Sequence, residues 1–282
     1  MGATPTISRR IAQAWREGLL DGFSILANGD GLDEVAEVLR EEGDRAARVA
    51  VHLNLSEGRS VAQPAEVPLL VDEAGFLHHT FGSLLVAWLF SSRASRADLV
   101  AQVEREWRAQ VDEVVALLGA RGVQAIDGHV HVHMLPFLFP VAARLAREFG
   151  LLEVRITDEP FHLSERPRDS LSPLFVVNIV KHAALRACAQ RARGVAREAG
   201  IAGPDRFVGV LYTGRMTREA ARAGIRVAER RGASSVEVLF HIGRAAPEEA
   251  ARWSGNPAVG AFPLDAGRDR EFEELNRLVE GD

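Results

Sequence analysis

The chain has 282 residues, of which 47% are apolar and 26% charged, with a formal net charge of −5. That is enough apolar material for a large core in one big α/β domain or two small ones. The charge is spread without blocks, which argues against a nucleic-acid or anionic-membrane binder, and no run reaches the ~18 apolar residues of a membrane span.

The amino terminus lacks the basic-then-apolar build of a signal peptide, so a cytoplasmic protein is expected. Ile7, Ile11, Trp15 and Leu19 recur every four residues and predict an amphipathic helix. Gly22 to Ala27 reads as a short buried strand, and Leu32, Val35 and Leu39 mark a second helix. Arg48 to Leu55 reads as a strand, with Val49, Val51 and Leu53 on one face and His52 and Asn54 on the other. Ser56 to Thr80 has no clear period and is expected to be an irregular excursion, of a kind often tied to function. A helix follows from about Ser95 to Leu118, with Leu99, Val103, Trp107, Val111, Val114 and Leu118 as its stripe.

Val123 to Met134 reads as a strand rich in histidine, and Phe137 to Phe149 as a helix closed by Gly150. Leu152 to Thr157 is expected to be a strand, Asp158 to Pro173 a loop, and Leu174 to Ala199 a long helix. Phe207 to Tyr212 and Val236 to His241 read as strands flanking a helix from Thr217 to Arg231, with further helices at Glu248 to Trp253 and Arg268 to Leu278. Strands and helices alternate along the whole length. That pattern predicts βα units on a largely parallel sheet, closed or nearly closed, as one α/β barrel domain over 1–282. Cys188 is the only cysteine, so no disulfide framework exists, and a buried structural thiol is expected.

The most informative stretch is Asp127-Gly128-His129-Val130-His131-Val132-His133-Met134-Leu135-Pro136. In an extended strand His129, His131 and His133 line one surface, together with Asp127. Neutral imidazole is the commonest protein metal ligand, so three in register point to a metal ion. The alternative is a strand end carrying core histidines. His52, His129, Tyr212 and His241 all fall at or near the carboxyl ends of predicted strands, where a βα barrel builds its active site. Arg215 follows the strand ending at Tyr212, where a fixed cation can orient a carboxylate or an anion, although an exposed loop arginine is an equal alternative. His241 is a candidate general acid near neutral pH. His78 and His79 are expected in solvent, and His162 and His182 likewise lack a functional context.

These segments resemble the YdjC-like carbohydrate deacetylases. Val51-His52-Leu53-Asn54-Leu55-Ser56-Glu57-Gly58 resembles the family's first histidine motif and Asp127 to Pro136 its second. Leu211-Tyr212-Thr213-Gly214-Arg215-Met216-Thr217 is similar to a later signature, and Phe240-His241-Ile242-Gly243 to a His-Pro-Gly element with Ile242 in the proline position.

The resemblance implies a single distorted βα barrel, polysaccharide-deacetylase-like, that removes N-acetyl groups from an amino sugar or glycan, with a possible homodimer. It implies a divalent metal held by His52, His129 and an aspartate, and His241 as proton donor. Arg215 would position a side chain or the substrate. Asp127, His131, His133 and Tyr212 would stand behind the ligands or face the substrate. Magnesium is the metal the resemblance suggests, yet two imidazoles favour zinc or another transition metal. Gly2-Ala3-Thr4-Pro5 matches the segment that follows the family's Asp-Asp pair, so the first strand and that pair are not in this sequence. The expectation is therefore a barrel lacking its first strand, with weakened metal binding and little or no turnover. Two rivals remain at this stage. One is a metal phosphoesterase or amidohydrolase, which usually needs more His and Asp ligands. The other is a degenerate barrel that binds a glycan without catalysis.

Overall fold

The structure is a computed structural model that describes residues 1–43, 47–118, 122–256 and 259–281. Four parallel strands form the main sheet in the order β1 (Gly22–Ile25), β2 (Arg48–Leu53), β3 (Ala125–Gly128), β4 (Glu153–Val154). Two further parallel strands, β5 (Arg206–Val208) and β6 (Val236–Val238), pair with each other. Helices α1 (Pro5–Arg16), α2 (Leu32–Glu41), α4 (Arg93–Leu118), α5 (Phe139–Glu148), α6 (Pro173–Ala199) and α7 (Arg218–Arg230) alternate with these strands. They are joined by α3 (Phe81–Phe90), α8 (Pro247–Trp253) and α9 (Gly267–Glu280). This is a mixed α/β fold on parallel strands, a distorted βα barrel.

The helices begin where the sequence supplies caps. The Thr4 hydroxyl accepts from Ile7 N–H ahead of Pro5, and Thr217 does the same for Ala220 N–H at α7. Ser172 caps α6, which ends on Gly200 in the left-handed region. The strands run short because the chain leaves the ladder early. Their inward residues Ile25, Val51, Leu53, Ile126 and Val154 are fully buried, with Trp15 of α1 and Trp107 of α4 packed into the same core.

The two sheets are stitched rather than continuous. Glu153 forms a lone parallel bridge with Ala202, and Phe207 N–H donates to Asp158 O at 3.3 Å. Arg155, just after β4, reaches from Asp127 on β3 to Glu237 on β6. The sheet expected to be closed or nearly closed thus comes in two pieces, joined by these main-chain contacts and by side chains. Helix α3 was not anticipated, because its sequence is apolar nearly all round and shows no polar period.

The excursion from Ser56 to Thr80 is irregular, as expected. What holds it is a polar row on α4, Gln102, Glu106 and Gln110, all nearly or fully buried. Glu106 accepts from Val61 and Ala62 N–H at 3.0 and 2.9 Å, and Gln102 Oε1 from Leu69 N–H at 2.8 Å. Gln110 both accepts from Asn54 N–H and donates to Asn54 O, each at 2.8 Å. These side chains stand in for the strand partner that the segment lacks. Cys188 is half-buried against the core, not fully enclosed.

Candidate active site

Parallel pairing of β2 with β3 sets His52 opposite Asp127. Their side chains meet, with His52 Nδ1 2.5 Å from Asp127 Oδ1. Asp127 is 1% exposed. Its Oδ2 accepts from the Ser24 hydroxyl at 2.5 Å and pairs with Arg155 Nη2 at 2.7 Å. Burial opposes its ionisation, but Arg155, His52 and Ser24 outweigh burial and hold the carboxyl far below the usual carboxylate range. Asp127 is therefore a fixed anion with both oxygens engaged.

The extended strand ends at Gly128. His129 to Met134 is a tight 3₁₀-type segment in which Val130 and His131 take positive φ, 43° and 58°. This corrects the expectation that His129, His131 and His133 share one strand face. A turn of this kind sends each ring a different way. His129 stays at the strand end, with Nδ1 3.3 Å from His52 Nε2 and Nε2 2.8 Å from Glu57 Oε2. His131 reaches Thr157 Oγ1 at 3.3 Å and lies edge-on to Phe207. His133 is fully buried and donates from Nε2 to Arg155 O at 3.0 Å, so it faces the core and not a substrate. Its ring sits over Gly128, where an added Cβ would lie 2.4 Å from His133 Nδ1. Burial pushes His133 down to about 4, partly offset by Asp127, and holds His131 well below the ordinary histidine range. His52 is also lowered by burial, against the pull of Asp127.

Glu57 was quoted within the first motif but given no role. It is 1% exposed and accepts from the Ser254 hydroxyl as well as facing His129. Its loop is preset. Asn54 Oδ1 accepts from Ser56 and Glu57 N–H at 2.8 and 3.3 Å, and Asn256 Nδ2 donates to Ser56 O at 2.7 Å. The available signal was an acid five residues after a strand-end histidine, at a Gly-closed turn.

The partners decide the tautomers. Asp127 accepts the Nδ1–H of His52, and Glu57 accepts the Nε2–H of His129. The two remaining ring nitrogens, His52 Nε2 and His129 Nδ1, then present lone pairs to one another across 3.3 Å. Two such lone pairs repel unless a cation or proton lies between them. Tetrahedral bonds of ~2.0–2.1 Å to one ion put two donors about 3.3 Å apart, so the spacing suits a shared ion. Among the described residues, no group of three or more His, Cys, Asp or Glu is placed to hold a metal. The protein donors to this point are two imidazoles.

His241 follows β6, and its side chain is near enough to His52 and His129 to feel their charge. Burial, Arg268 and these two imidazoles hold it well below the ordinary range. Two candidates fall elsewhere. Tyr212 is buried, and its hydroxyl accepts from Ser164 N–H at 2.7 Å and meets the Ser170 hydroxyl at 2.9 Å, so it anchors the loop after β4. Arg215 is exposed, and no hydrogen bond or ion pair among the described residues ties its guanidinium to the histidines. The other histidines also depart from expectation. His79 Nε2 donates to Leu69 O, while His162 and His182 are buried against Pro160 O and Glu159 O, so only His78 is exposed. A concavity of about 880 Å³ lined by Trp88, Arg96, Val100 and Phe137 contains none of the cluster.

A parallel α/β barrel with a histidine and carboxylate cluster at its strand ends defines the class, and the family follows from comparison. The family model described as "YdjC-like protein" matches residues 1–277, and the chain belongs to that family. A zebrafish (Danio rerio) carbohydrate deacetylase is 31% identical over 150 residues, covering 53% of this chain and 45% of that one. A mouse (Mus musculus) carbohydrate deacetylase is 30% identical over 217 residues, covering 76% and 64%. A chitooligosaccharide deacetylase of Salmonella typhimurium is 28% identical over 141 residues, half of each chain. The matches thus span about half to two thirds of these relatives' length. Among solved structures, a "putative cellobiose-phosphate cleavage protein" of Enterococcus faecalis superposes with a TM-score of 0.69 at 21% identity, over 99% of this chain and 89% of that one. This likeness establishes the fold.

Proposed function

We propose that the chain is a metal-dependent carbohydrate deacetylase that removes N-acetyl groups from an amino-sugar glycan. The observation that carries the metal site is the pair of facing lone pairs on His52 and His129, each fixed by a carboxylate behind it. The substrate class is taken from the names of the relatives.

The residues present fit a divalent cation of the nitrogen-preferring kind better than magnesium, which prefers oxygen. His52 Nε2 and His129 Nδ1 would hold it, and when bound it would polarise the amide carbonyl and acidify water. The described residues supply the positioning of the ligands and the acid. Asp127 and Glu57 hold the two rings in the donor tautomer, and Ser24 and Arg155 keep Asp127 anionic. Asp127 itself is a poor proton acceptor for water, because its oxygens are engaged and its proton affinity is low. His241 supplies a proton to the departing amine, which is otherwise a poor leaving group.

Isothermal titration of purified protein tests the site. Zinc or nickel should bind one ion per chain, magnesium should bind far more weakly, and His129→Ala should abolish the one-to-one isotherm. Tight zinc binding that survives both His52→Ala and His129→Ala would remove the assignment. Amine release from N-acetylglucosamine oligomers by metal-loaded protein tests the reaction itself, and phosphate release from phosphomonoesters in its place would favour a phosphoesterase.

A further inference from the structure

Helix α9 grips the turn that carries His241. Glu271 on α9 is 0% exposed. Its Oε2 accepts from His241 N–H at 2.5 Å and its Oε1 from Met216 N–H at 3.1 Å, so one carboxyl ties the ends of the chain after β5 and after β6. Arg268, nearly one turn earlier, donates to Gly243 O at 2.5 Å and Ile242 O at 3.2 Å. Three successive residues, 241 to 243, are thus held from one helix.

The imidazole of His241 has an unspent atom. Its Nδ1 is buried without a hydrogen-bond partner and lies 3.8 Å from Glu271 Oε2. Phe262 stands edge-on to the ring at 5.0 Å and closes that side. The titratable and charged groups around the ring are Glu271 and Arg268 from α9, His52 from β2, His129 and His131 after β3, and Arg155 after β4. Apart from Glu271 all are basic, so a free imidazolium is disfavoured here. Burial pushes the Glu271 carboxyl up to about 8, against its backbone hydrogen bonds and Arg268. Burial thus favours the neutral forms of both partners, an uncharged imidazole beside a carboxyl that holds its proton more tightly than usual.

We propose that Glu271 is the proton source behind His241, because its carboxyl is the one acidic group among the described residues that faces the orphaned Nδ1. The inference rests on His241 as proton donor to the leaving amine. As the Nε2–H bond of His241 breaks and an N–H bond forms on the departing amine, the O–H bond of Glu271 breaks and an Nδ1–H bond forms. The imidazole ends neutral in its other tautomer and Glu271 ends as a carboxylate, held by the backbone N–H groups of His241, Met216 and Gly214 and by Arg268. A closure of about 1 Å brings the pair to hydrogen-bond distance. Glu271 acts through His241 and is a positioning residue.

Nitrogen-15 NMR of histidine-labelled protein tests this without turnover, with His241→Asn for assignment. His241 should be the neutral Nε2–H tautomer at neutral pH. Its Nδ1 signal should move in a step as Glu271 titrates near pH 8. In Glu271→Gln that step should vanish while the His52 and His129 signals persist. Where the glutamine variant fails to fold, Glu271→Asp should keep a weaker step. An Nδ1–H tautomer in the wild type, or an unchanged step in Glu271→Gln, overturns the proposal. Kinetics add a second readout. Glu271→Gln should slow amide cleavage about 100-fold or more, yet slow p-nitrophenyl acetate, whose phenolate leaves unprotonated, by about threefold or less. Equal losses on both substrates would mean a purely structural residue and overturn the relay. Absence of amide cleavage in the wild type would count against the deacetylase assignment alone, since the NMR result stands apart from it.

Discussion

Val130 is the residue whose backbone is least at ease. It is β-branched, takes φ 43°, and is 37% exposed. Left-handed backbone costs an L-residue roughly 1–2 kcal/mol, least for Gly and Asn. Val130→Asn should therefore raise the melting temperature by a few degrees while leaving zinc affinity intact; a lower melting temperature would show that the valine side chain contributes packing that outweighs the strain. Glu57→Gln should weaken zinc binding about 10-fold to 100-fold, the usual cost of losing a carboxylate behind a ligating histidine. His52 and His129 were legible in the sequence because strand ends and motif spacing mark them. Ser24, Glu57 and Arg155 were not, because each is an ordinary residue whose meaning comes from what the fold sets beside it. His133 misled in the other direction. It belongs to the same motif, yet the turn at 129–134 drives it into the core.

At the level of elements, the histidine segment and α4 teach opposite lessons. Alternation of His and Val over 129–133 imitates a strand, but Gly128 and the left-handed pair end the ladder there. Periodicity cannot see where a ladder stops, because the side chains keep alternating in type after the backbone has changed. Helix α4 was correctly placed from its apolar stripe, while its second stripe, Gln102, Glu106 and Gln110 at four-residue spacing, was given no role. These residues are 5% exposed or less and bind main chain. Burial raises the Glu106 carboxyl above its ordinary value, opposed by Gln110 and by the N–H groups of Val61 and Ala62. Glu106→Ala leaves those two N–H groups without their partner, at about 1–3 kcal/mol each. The expected result is faster proteolytic nicking within 59–72 with the rest of the fold retained. Uniform cutting along the chain, or none, would contradict the assigned role of α4.

Across the whole molecule, buried titratable groups set the response to pH. The folded-state pKa of His133 is pushed to about 4 from an ordinary 6.5, so its unfolded form takes up a proton first as the solution is acidified. Stability from this group is complete above about 6.5 and is lost as pH falls toward 4, worth about 3 kcal/mol for the shift. His52, His131 and His241 are lowered as well and act in the same sense. Glu271 and Glu159, raised by burial to about 8 and about 7, act oppositely, and their contribution is lost as pH rises from about 4.5 through those values. Melting temperature should peak close to pH 6.5 and decline on both sides; a plateau from pH 5 to 8 would show that these groups are not buried as described.

The order of helices and strands, and hence the α/β class, was readable from hydrophobic period, since burial on both faces of a parallel sheet imposes it. The split into two sheets was not. It lies between β4 and β5, a seam bridged by contacts such as that of Arg155 with Glu237, residues more than eighty positions apart.

The grip of α4 on the excursion has one more consequence. Gln102, Glu106 and Gln110 hold peptide groups, while Ala62, Val67 and Leu70 seat the segment's side chains in the core. The segment is therefore exchangeable only where its buried apolar positions are kept: transplanting the corresponding stretch from a relative should preserve the scaffold when residues 62, 67 and 70 stay apolar.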